Sequence, residues 1–136
     1  MLPIHTLDDV NYTVNANFNH CGTSGAWSCT VDFRPSWQGD CKQAAALKLR
    51  ELILVGAQPR EFTIWLVHVP SSQRDAQSLA NHAVLVQNAT GMVLDLMTNL
   101  VESRSLKERY EGFTFIAPCD TCGDMARRSA EIERRR

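Results

Sequence analysis

Apolar residues recur every three or four positions at Leu7, Val10, Val14 and Phe18. That is the spacing of one helix face, so residues 7–18 are predicted to form a short amphipathic helix. Thr6 stands where an N-cap would, with Asp8 and Asp9 in the first turn. The pattern then breaks. Residues 19–28 mix Gly, Ser and Cys and read as a loop, and a second loop, residues 34–39, leads into Asp40 and Cys41. Residues 42–55, KQAAALKLRELILV, give the strongest helix signal, dense in good helix formers. Gly56 terminates it and Pro59 prevents its resumption. Residues 62–69, FTIWLVHV, are β-branched and aromatic and read as a buried strand. Residues 82–86, HAVLV, and 92–97, MVLDLM, flank the turn residues 88–91 and predict a hairpin. Residues 103–110 predict a short helix and residues 113–116 a fourth strand, while the tail from residue 123 is helical in pattern, charged, and expected to fray. One long helix followed by consecutive strands on short links predicts an α+β fold, the helix packed on an antiparallel sheet.

The chain has 136 residues, which suits a single domain over residues 1–136 with a core large enough to need no disulfide staples. A net charge of -1 sets up no strong field toward nucleic acid or an anionic membrane. The basic residues gather at Arg127, Arg128, Arg134, Arg135 and Arg136, where Glu131 and Glu133 interrupt them and no aromatic residue accompanies them. They read as a solvated helix end. No stretch approaches the ~20 apolar residues of a membrane span, and the first residues carry no secretory pattern. A complete chain would therefore be cytoplasmic, and a periplasmic protein would require a removed leader. The expected state is a monomer acting on a protein or peptide, without nucleic acid or membrane as partner.

The chemistry gathers around Cys41. It follows Gly39-Asp40 and opens the strongest predicted helix, where unpaired N–H groups and the dipole favour a thiolate. His82 begins one predicted strand and Asp95 lies within the next. Pairing about the intervening turn would make them cross-strand neighbours, with Asp95 orienting one ring nitrogen and the other facing Cys41. Cys41 alone reads more often as a core residue than a nucleophile, and a lone His82 more often as an edge residue than a base. Asp95 has less freedom, because a carboxylate between Val93-Leu94 and Leu96-Met97 requires a partner.

Three blocks in order extend this reading: Trp37-Gln-Gly-Asp-Cys41 with its helix, Asn81-His-Ala-Val-Leu-Val86, and Met92-Val-Leu-Asp-Leu-Met-Thr-Asn99. Together they resemble the bacterial transglutaminase-like cysteine peptidases of the papain-like class, which include the LapG-type periplasmic proteases that cut biofilm adhesins. The resemblance implies a Cys41-His82-Asp95 triad carrying out acyl transfer, with release to water (peptidase or amidase) or to an amine (transglutaminase). Trp27 falls where the family has a Trp in a Tyr-Trp-x-Thr-Pro stretch, degenerate here as Ala26-Trp27-Ser28-Cys29-Thr30. It or Gln38 would complete the oxyanion site. LapG-type members carry acidic residues after the nucleophile that help bind calcium. Lys42 and Gln43 occupy those places, so calcium is not expected and no cofactor is required.

A different class of protein is suggested by the remaining cysteines. Of the 5 in the chain, Cys119 and Cys122 form a C-x-x-C, and with Cys21 and Cys29 they would make a structural Cys₄ zinc site. Disulfides or free thiols are the other readings. In the zinc reading the protein is a small non-catalytic binding scaffold and Cys41 a core residue.

Overall fold

The computed structural model describes residues 2–20, 37–70 and 79–136. Helix α1, Ile4–Asn17, leads to a two-residue strand β1, Asn19–His20, which pairs in parallel with β2, Gln38–Gly39. Helix α2, Cys41–Leu54, follows directly, then a single 3₁₀ turn, Pro59–Glu61, and strand β3, Phe62–His68. Strands β4, His82–Gln87, β5, Met92–Asp95, and β6, Thr98–Ser103, come next. Helix α3, Arg104–Tyr110, strand β7, Thr114–Pro118, and helix α4, Asp120–Arg134, complete the chain. The main sheet has the order β6-β5-β4-β3-β7, and its pairings are all antiparallel. This is the expected α+β architecture.

Helix α2 is the centre of the molecule. α1 and α4 pack on its sides and β4 lies beneath it. Enclosure on several sides explains why Ala44, Ala45, Ala46, Leu47, Leu49, Leu52 and Ile53 are all buried, and the polar Gln43, Lys48 and Arg50 with them. One sheet face presents Phe62, Ile64, Ala83, Leu85 and Leu94 to this helix layer. The alternate residues Val67, Val84, Val86 and Val93 form a smaller cluster on the other face with Phe113. The fold thus buries β4 on both faces, and all six of its residues are buried.

The short strands β1 and β2 arise in segments read as loops, and three larger elements also depart from the sequence expectation. α1 begins at Ile4, behind Pro3, earlier than Leu7. The strand read as residues 92–97 ends at Asp95, turns, and returns as β6. β6 is an edge strand without a buried residue, so it lacks the apolar alternation that would reveal it. The tail is a full helix, docked through buried Cys122, Ala126 and Ala130, with Arg134 donating to the Ile53 carbonyl at 2.7 Å. No helix of the described residues is long and apolar enough to cross a membrane.

Candidate active site

The start of α2 is built by its own sequence. Asp40 is the N-cap: its Oδ1 accepts the Lys42 and Gln43 backbone N–H groups at 3.0 and 3.1 Å. Its Oδ2 meets the Lys42 ammonium at 2.9 Å. Gly39 is required before it, because a Cβ there would lie 2.7 Å from the Gln43 Cβ. Cys41 is then the first helical residue, 1% exposed, in the turn whose N–H groups lack intrahelical acceptors.

His82 and Asp95 meet beside it. The β4–β5 register pairs Leu85 with Leu94 and Val86 with Val93. Carried one residue further, it sets Val84 opposite Asp95, so His82 reaches Asp95 diagonally rather than straight across. His82 Nε2 lies 2.7 Å from Asp95 Oδ1, which also accepts the Met97 N–H at 3.0 Å. With Nε2 engaged, Nδ1 is the nitrogen left for Cys41, which also interacts with the ring. Phe113 packs edge-on against the imidazole at 6.3 Å. Burial alone would lower the His82 pKa. The hydrogen bond to Asp95, the one with Cys41 and the negative charge of both outweigh it and raise the value from 6.5 to about 9. Burial pushes Asp95 upward, but the His82 hydrogen bond and charge, the Met97 N–H and the Lys107 charge hold it below the ordinary carboxylate value. Such a set can draw a proton from a thiol and keep the resulting imidazolium beside a carboxylate.

Around these side chains lie groups that the sequence did not reveal. Asn15 on α1 donates to the Asp95 and Thr98 carbonyls, both at 3.0 Å, and Asn11 donates to Thr98 at 2.9 Å. Together they fasten the β5–β6 turn to α1. The Asn11 Oδ1 accepts the Lys48 ammonium at 2.7 Å. Burial lowers the Lys48 pKa to about 7, and the charge of Asp95 only partly restores it. Lys107 on α3 lies 3.5 Å from the second Asp95 oxygen. A signal existed for Lys48, a charged residue between Leu47 and Leu49 on the buried helix. Asn11 and Asn15, four apart on α1, share a face. Nothing in the pattern around Lys107 marks it.

Of the residues proposed from sequence, the structure brings Cys41, His82 and Asp95 together. Gln38 stands on β2, just ahead of Asp40, and is exposed. Trp27 lies outside the described residues, as do Cys21 and Cys29. The zinc site does not stand. Cys119 and Cys122 are joined as a disulfide, which leaves no thiolate pair to donate to a metal. Among the described residues no group of three or more His, Cys, Asp or Glu side chains is placed to hold an ion.

No protein-family model matches the chain, and no curated protein matches it. A solved structure does: calcium-bound LapG of Legionella pneumophila, 21% identical, with a TM-score of 0.61 over 85% of this chain and 63% of that one. The chain therefore spans less than two thirds of that neighbour's length. The expectation that calcium has no place here is overturned by this neighbour, whose structure is a calcium-bound one. The described residues near the nucleophile do not themselves fit the ion. Asp40, the acidic residue adjoining it, is occupied in capping α2 and pairing with Lys42. The antiparallel sheet, the central helix that begins at Cys41 and the similarity to LapG give this chain a LapG-type, transglutaminase-like fold.

Proposed function

We propose that the protein is a cysteine-dependent acyl hydrolase, a peptidase or amidase acting on a protein or peptide. Cys41 is the nucleophile, His82 the base and Asp95 the group that orients it. The observation that supports this most is the placement of His82, bonded to buried Asp95 at 2.7 Å and interacting with the thiol at the start of α2. His82 takes the Cys41 proton, and the thiolate adds to the amide carbonyl. The resulting oxyanion is received by the Cys41 backbone N–H, with Gln38 or Trp27 as second donor. Its collapse breaks the C–N bond, and His82 returns the proton to the leaving amine. Water, deprotonated by His82, then cleaves the thioester and regenerates the thiol. Calcium enters the proposal as a ligand to be tested by calorimetry and by assay with and without EGTA.

One observation favours a second reading, a binding scaffold that has kept the fold. Cys41 is 1% exposed, more buried than an attacking group needs to be. Peptide-library digestion separates the two. Cleavage that disappears with Cys41→Ala supports the hydrolase. No cleavage, together with a Cys41 that resists small alkylating agents, supports the scaffold.

A further inference from the structure

The chemistry proposed above uses one oxygen of Asp95. The other, Oδ2, is buried with no hydrogen-bond partner, and a lone carboxylate oxygen in such a place is costly. What faces it is a lysine with no exposed surface. Lys107 Nζ stands 3.5 Å from Asp95 Oδ2, 3.1 Å from Glu111 Oε2 and 3.8 Å from Glu102 Oε2. It also lies 5.2 Å from the centre of the Phe113 ring, the ring that packs against His82. Lysines are almost never buried to this degree unless paired. Had pairing been the whole purpose, Glu102 and Glu111, both nearer the surface, would have sufficed to hold the ammonium outside. Instead it reaches inward to the carboxylate that holds the imidazole.

We propose that Lys107 is a positioning residue for the Cys41–His82–Asp95 chemistry: it holds Asp95 ionised, with Oδ1 turned to His82, from the side that His82 does not occupy. This rests on the hydrolase reading. The ammonium fixes one end of the carboxylate and the Met97 N–H and imidazole fix the other. The groups facing Asp95 are His82 from β4, the Met97 N–H, Lys107 from α3 and, as a more distant charge, Lys48 from α2. Those facing Lys107 are Asp95, Glu102 from β6, Glu111 from its own helix and the Phe113 ring. The sign follows from charge. Without the cation Asp95 takes up a proton at higher pH, and a neutral Asp95 no longer supports the imidazolium formed when His82 takes the Cys41 proton.

The test is the rate of Cys41 alkylation by iodoacetamide as a function of pH, which needs no substrate. Lys107→Met is expected to move the acid limb of the profile up by about one pH unit, the low end of what a nearby opposite charge confers. On that limb the rate at fixed pH then falls about tenfold. Lys107→Arg, which keeps the charge, is expected to restore the limb. The double variant Glu102→Gln/Glu111→Gln, altered at partly exposed positions, frees the ammonium for Asp95 and should move the limb down. A folded Lys107→Met with the wild-type limb, or one whose limb Lys107→Arg does not restore, overturns the proposal. If Lys107→Met does not fold, the double variant decides, and an unmoved limb overturns it. His82→Ala is the separate control. If it leaves alkylation unslowed, the triad reading itself fails. If it slows alkylation while the Lys107 variants are silent, only the role of Lys107 falls.

Discussion

Helices α2 and α4 each begin at a cysteine, α2 with Cys41 behind the Asp40 cap and α4 with Cys119 as the cap itself. Both sulfurs lie at the end of a helix where backbone N–H groups lack intrahelical acceptors. At α4 the nearest reactive group is Cys122, three residues on in the same turn, and the two close into a disulfide. At α2 the thiol of Cys41 is free, and what approaches it is a histidine carried on a strand and held by a buried carboxylate. A helix terminus thus places a sulfur without deciding its chemistry. The neighbour decides it: a second sulfur from the same turn in one case, a histidine brought in by the sheet in the other.

Breaking the delivery of the base should have the largest effect. Asp95→Asn is expected to leave the fold intact and to lower turnover of a peptide substrate by about 10³–10⁴, as loss of the orienting acid does in other triads. Steady-state kinetics on the folded variant checks it.

The same pairing should appear in stability as a function of pH. The folded pKa of His82, about 9, lies above its unfolded value of 6.5. Its contribution, about 3 kcal/mol for such a difference, is complete below pH ~6.5 and is lost as pH rises through about 9. Lys48 runs the other way. Its value is lowered from 10.5 to about 7, so it costs stability below 7 and that cost disappears toward 10.5. Urea unfolding of His82→Gln beside the wild type separates the two. The difference between the curves should shrink between pH 6 and 9.5.

The α4 end should respond more weakly. Cys119→Ser removes a cross-link that closes only one helical turn, so it should cost about 2 kcal/mol, the low end for disulfides. The loss should vanish when both proteins are unfolded in reductant, and Cys41 alkylation should be unaffected. Weakest is the cap. Asp40→Ala should lower stability by about 1 kcal/mol through the lost N–H acceptor. Thermal unfolding at neutral pH measures it.

The sequence made the central helix, the long strands and the hairpin legible because each has its own period or punctuation, as with Gly56 after α2 and the turn before β5. It made Asp95 conspicuous because a carboxylate in an apolar strand needs a partner. It did not reveal β6, whose residues are half-buried or exposed and alternate too little to register. It undervalued the tail, whose charged outer face conceals the small residues Ala126 and Ala130 that dock it on α2. The C-x-x-C was consistent with metal and disulfide alike, since spacing does not say which partner a sulfur meets. Lys107 was invisible for a more general reason. Its environment is assembled from β5, β6 and the far end of its own helix, a set of neighbours that only the folded chain brings together.

The central claim, that the fold turns Cys41 and not the α4 cysteines into the nucleophile, is tested most directly by timed iodoacetamide labelling of the native protein without reductant, followed by peptide mapping. The account predicts that Cys41 is labelled first near neutral pH, that His82→Ala slows this labelling, and that Cys119 and Cys122 are labelled only after reduction. A Cys41 that reacts last, or at the same rate with and without His82, would contradict it.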